Sequence, residues 1–147
     1  MTAWSGKWRS AVDKALNYLA LARKGGLVEL GEEPVGAATR AVKAALVIVA
    51  GDASDHTWRR AKSFVAGTAQ PCIRLKQTKE ELGMAVGRTS LAIAAFTDAA
   101  MALAFAKALE GCDGEVLTAL EERVKRLKAR AKEAKAHQRN LRKGKKK

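Results

Sequence analysis

The chain has 147 residues, enough for one domain with a little to spare. Apolar residues make up 48%, sufficient for a core, and the 29% of charged residues excludes a membrane-embedded chain. Lys and Arg number 28 against 15 Asp and Glu, a net charge of +13, which excludes an ordinary acidic enzyme as the starting expectation and points to a polyanionic partner.

Cys72, Cys112, His56 and His137 are too few for a disulfide scaffold or a zinc ribbon, and they suit a reducing cytoplasm. The opening stretch from Met1 to Arg9 lacks an apolar run with a small-residue cleavage site, so no secretory signal is expected. A helix is predicted over residues 9–23, where Trp8, Val12, Ala15, Leu16, Leu19 and Ala22 share a face. Lys24-Gly25-Gly26 ends it, with cations in the last turn and glycine beyond. Residues 27–30 form a short strand. Gly31-Glu32-Glu33-Pro34 then opens a helix reaching about residue 41, with two carboxylates at its positive end and Pro34 where a missing N–H costs nothing.

Residues 45–50 are apolar throughout, as in a strand covered by helices on both faces. Ser54 or Asp55 caps a helix over residues 56–66. Residues 72–75 form a third strand. Thr78 with Glu81 three residues on is a capping box for a short helix that ends between Gly83 and Gly87. Residues 90–96 form a fourth strand, and Asp98 caps a helix to about residue 109. Regular alternation of helix and strand predicts an α/β fold: a three-layer α-β-α sandwich on a small mixed four-stranded sheet.

Gly111-Cys112-Asp113-Gly114 separates this domain, residues 1–110, from a basic extension, residues 111–147. From Glu121 onward there are 13 basic and 3 acidic residues, net +10, which leaves 15 basic and 12 acidic residues, net +3, in the first 120. Leu117, Leu120, Val124 and Leu127 form an apolar helical stripe of about three turns. Past it, the tail with Arg139, Arg142, Lys143, Lys145, Lys146 and Lys147 buries nothing and is predicted to be disordered alone.

Catalytic groups are not evident. His56 stands at a helix start, Cys72 lies inside an apolar strand, and Cys112 lies in a turn without a partner at metal-ligand spacing. Asp52 follows a strand but no glycine-rich phosphate loop accompanies it. Neither an enzyme, nor a metal, nor a cofactor is expected.

Four segments in order resemble one family: Leu21-Ala22-Arg23-Lys24-Gly25-Gly26 followed by Gly31-Glu32-Glu33-Pro34-Val35; Leu46 to Ser54; Thr78 to Arg88, with its Leu82-Gly83-x-Ala85-x-Gly87 pattern; and Ala92 to Asp98. Together they are similar to the kink-turn-binding ribosomal protein superfamily (L-seven-Ae and L-thirty-e), in particular its bacterial YlxQ-type branch. The resemblance covers residues 11–109 and implies a non-catalytic RNA-binding protein with no cofactor. Its partner would be ribosomal or another structured RNA, and its setting the cytoplasm and the ribosome. It also implies binding through two adjacent loops, one at residues 31–37 and one following Gly87. The implied site residues are Gly31, Glu32, Glu33, Gly87, Arg88 and Thr89; read from charge, Lys24, Lys43 and Arg88, with the C-terminal arm, are candidate phosphate contacts of low sequence content. The family's kink-turn readers carry Asn-Glu-x-x-Lys where this chain has Glu33-Pro34-Val35-Gly36-Ala37, and Arg40 lies one turn beyond as a substitute cation. A monomer is expected when free, without membrane attachment. The alternative reading is a protein-interaction adaptor that docks through the stripe at residues 117–127.

Overall fold

The computed structural model describes residues 6–145, with side-chain surroundings over residues 14–142. Trp8, Val12 and the side chains beyond Arg142 lie outside that range. The chain alternates as predicted: α1 (Gly6–Lys24), β1 (Val28–Leu30), α2 (Glu32–Arg40), β2 (Leu46–Val49), α3 (Asp55–Val65), β3 (Cys72–Arg74), α4 (Lys79–Ala85), β4 (Ile93–Phe96), α5 (Ala99–Ala108) and α6 (Gly114–Lys145). Three helix starts follow from their cap residues. Ser54 Oγ accepts from Thr57 N–H, and Asp98 Oδ2 accepts from Met101 N–H at 2.9 Å. Thr78 and Glu81 exchange both bonds of a capping box.

The sheet is mixed, in the order β1-β4-β2-β3, with β1 and β2 antiparallel to β4 and β3 parallel to β2. The inner strands β2 and β4 are buried at every position, as their unbroken apolar runs require. Helices α2 and α3 form one covering layer, and α1, α5 and the start of α6 form the other. Phe96 and Phe105 meet at 4.9 Å between ring centroids within the second interface.

Strand register defines two ends of the sheet. Leu30 pairs with Ala94 and the Gly31 N–H donates to Ile93 O, so the start of α2 and the approach to β4 share one end, the loop end. Val28 and Leu46 both pair with Phe96, so the α1–β1 and α2–β2 turns share the far end.

Two expectations change. The fourth strand begins at Ile93, not at residue 90, because the preceding backbone is engaged elsewhere: Leu91 N–H donates to Lys79 O and Arg88 N–H to Gly83 O, strapping residues 88–91 onto α4. The basic extension is one helix of 32 residues that continues through Lys145, where the sequence predicts a tail disordered from Arg139 onward. Alanine and unbranched Lys, Arg, Glu and Gln dominate that stretch and have the highest helix propensities. Docking of the first turns supplies the costly nucleus, and propagation from it is easy. Lys146 and Lys147 lie outside the described residues.

Helix α6 is anchored by Leu120, which is 1% exposed, with Val116, Leu117 and Val124 packed around it. The turn before it, residues 109–113, borders Leu75, Lys76 and Gln77 just past β3, at the loop end. By Arg123 the helix has reached the far end, where the guanidinium donates to Ala44 O at 3.2 Å. The remaining turns therefore run on past the far end of the sheet, and every residue from Lys125 to Arg142 is exposed.

Candidate nucleic-acid interface

The loop end brings two segments together. On one side, Gly31 caps α2 with φ 97° and ψ 162°, a conformation open to glycine and strained for other residues. No side chain caps this helix, and Pro34 has no N–H. The first-turn donors are thus the backbone N–H groups of Glu32 and Glu33, both directed out of a positive helix end. Glu33 and Pro34 are exposed, while Val35 and Gly36 are buried beneath them.

On the other side, α4 ends in a Schellman turn. Gly87 adopts φ 77°, its N–H donates to Met84 O, and the Arg88 N–H reaches back to Gly83 O at 2.7 Å. A Cβ on Gly83 would stand 2.7 Å from Ser90 N and 2.8 Å from Arg88 O, so only glycine lets the strap lie flat on the helix. The strap leaves Arg88, Thr89 and Ser90 exposed and aims Arg88 across the gap. Its Nη1 lies 4.0 Å from where a Cβ on Gly31 would be. The two loops that the sequence nominated are neighbours in space.

Further groups complete this end. Glu32 pairs with Arg60 of α3 at 3.4 Å, and Arg60 also lies over the Phe64 ring at 5.3 Å. Both partners are part-exposed, so the pair contributes little stability and leaves Arg60 available as a cation beside α2. Arg40 leans back along α2, with Nη1 3.3 Å from the place of a Gly36 Cβ. Side chains tilt toward a helix N-terminus, which leaves this guanidinium about four residues, or ~6 Å, short of the α2 start. Met84 is 74% exposed one turn before Arg88 and offers the loop end an apolar surface.

Lys24 and Lys43 do not belong to this group. The register places them in the two turns at the far end, where Val28 and Leu46 meet Phe96. The arm residues Arg139 and Arg142 lie farther out on α6 and are exposed. Lys143 and Lys145 are helical in backbone.

Sequence reasoning missed Arg60 and Met84. Met84 was detectable as an apolar residue off the face that carries Leu82 and Val86. Arg60 became relevant only once α3 lay beside α2, a non-local arrangement.

Among the remaining polar candidates, Asp52 has a structural role. Asp52 Oδ1 accepts from Lys79 N–H at 2.8 Å and holds the start of α4. His56 is exposed in the first turn of α3, where Ser54 is the cap. Burial pushes the Cys72 thiol up to about 11, against a smaller pull from Lys62, and it raises the Cys112 thiol with help from Asp113. Both are therefore protonated and poorly nucleophilic near neutral pH. Among the described residues no cluster of three or more potential metal ligands occurs, and no helix is long and apolar enough to cross a membrane.

No protein-family model matches this chain, and no curated protein does. Among solved structures, a protein of unknown function from Bacillus halodurans is similar, with a TM-score of 0.60 and 26% identity over 65% of this chain and 95% of its own. About a third of the present chain has no counterpart in that neighbour.

Proposed function

We propose that this chain is a non-catalytic, cytoplasmic RNA-binding protein of the kink-turn-binding ribosomal protein type. It recognises a structured RNA through the loop end and holds phosphates with its basic arm. The observation that carries this reading is the approach of Arg88 to Gly31, which joins an uncapped helix start and a cationic strap into one exposed surface. Unpaired elements are where proteins read RNA, and splayed bases need donors, a cation and an apolar platform. Glu32 and Glu33 N–H groups, Arg88 and Arg60, and Met84 supply these in turn. Pro34 and Ala37 stand where kink-turn readers of that superfamily carry acid and lysine, so selectivity for a kink-turn over other internal loops is expected to be weak. The adaptor reading has less support, because the apolar stripe of α6 is covered by its own domain at Leu120.

Ultraviolet crosslinking of the full chain to a stem with an internal loop tests this directly. Crosslinked peptides are expected to contain residues 31–34 and 84–90. Crosslinks confined to the far end, or none, would refute the assignment of the loop end.

A further inference from the structure

Helix α6 carries its cations on a pattern that matters only because the segment is helical. Lys125, Lys128, Lys132, Lys135, Arg139 and Arg142 follow one another at intervals of three, four, three, four and three residues. At 3.6 residues per turn these positions line one side of a helix, about 5 Å apart along a length of about 25 Å. Each of the six is exposed. The same winding puts Glu133, Arg126 and Arg130 on the opposite side, so no acid interrupts the row between Lys125 and Arg142. The row starts at the domain surface, where Lys128 joins Lys14 and Lys107 around a groove of about 720 Å³ between α1, α5 and α6.

We infer that this row is a rigid rail for the phosphate backbone of double-helical RNA, separate from the loop end and pointing away from it. The inference rests on the RNA-binding reading above and specifies a second contact within it. An evenly charged helical edge matches a regular backbone better than a flexible strand. Single-strand binding also draws on aromatic platforms, and residues 114–147 contain no Phe, Tyr or Trp. The rail therefore reads charge spacing and carries no base specificity. Because Arg123 fixes α6 at the far end of the sheet, the rail meets a duplex segment remote from any internal loop held at the opposite end.

The test compares two charge-matched variants of the full chain on a 20-base-pair RNA duplex without internal loops. K128Q with K135Q removes two rail cations, and R126Q with R130Q removes two from the opposite side. The rail variant is expected to bind at least about tenfold more weakly at 0.1 M salt, with a log–log salt slope shallower by roughly 1.8, since each lost duplex phosphate contact accounts for about 0.9. The opposite-side variant is expected to stay within about threefold of the parent. Equal losses in the two variants, no duplex binding by the parent, or binding to vesicles of anionic lipid in place of the duplex would overturn the rail. R88A, assayed on a stem with an internal loop, separates the two readings. If it alone loses affinity while the two double variants behave alike, the loop end stands and the rail falls. If the double variants differ on the duplex while R88A is silent, the rail stands and the loop end falls.

Discussion

Single residues with positive φ or forbidden neighbours carry much of the local geometry, and they divide into two kinds. Gly83 is required by contact, since a methyl group there collides with the backbone of residues 88 and 90. G83A is expected to cost about 1–3 kcal/mol and to release the strap that presents Arg88. Urea unfolding together with proteolysis near residue 88 checks this, and an unchanged midpoint would contradict it. Val42 is the opposite case. It is a β-branched residue at φ 55° in the turn after α2, where Val42 N–H donates to Thr39 O and Lys43 N–H to Ala38 O. These are Schellman bonds, and the αL position in that motif favours glycine. The side chain is 60% exposed and gives up little packing. V42G is expected to raise the unfolding free energy by about 0.5–1 kcal/mol, the relief of strain exceeding the entropy glycine adds to the unfolded chain. A destabilised V42G would mean that the valine makes a contact of greater value than its strain.

At the scale of elements, the decisive packing is that of α6 on α5. Leu120 is the one fully buried member of the stripe, and truncation leaves a cavity between two helices. L120A is expected to cost about 2–5 kcal/mol and to loosen α6, seen as faster amide exchange over residues 116–124 than over β2. Exchange unchanged in α6 would show that the Arg123 bond to Ala44 suffices to anchor it. What the sequence disclosed at this scale was local. The caps at Ser54, Thr78 and Asp98, the glycine stops at Gly26 and Gly87, and the buried runs of β2 and β4 each depend on neighbours within a few residues. The length of α6 was not legible from its fading apolar face, because propensity and a docked nucleus extend the helix where periodicity had ended. The start of β4 was misplaced for a related reason. Residues 90–92 have strand character, but their backbone bonds go to α4 and to Ala50.

At the scale of the whole molecule, strand order separates what charge alone would group together. Lys24, Lys43 and Arg88 are alike in the sequence, yet the order β1-β4-β2-β3 puts the two lysines at one end of the sheet and Arg88 at the other. The adjacency of the Gly31 and Arg88 loops became legible through resemblance to a family, whereas the polarity of the molecule required the register of Phe96 with both Val28 and Leu46. The result is a body of slight net charge with the proposed binding loops at one end and an exposed cationic helix leaving the other. We propose that the folded chain binds structured RNA at the loop end.

The most direct measurement is a titration of nuclease-treated, full-length protein against a stem carrying an internal loop and against the same stem fully paired, at several salt concentrations from 0.05 to 0.2 M, a range over which phosphate contacts dominate the change in affinity. Tighter binding to the looped stem is expected at every salt concentration, a preference abolished by R88A. Equal affinity for the two RNAs in the parent protein, or a preference that survives R88A unchanged, would contradict the proposal.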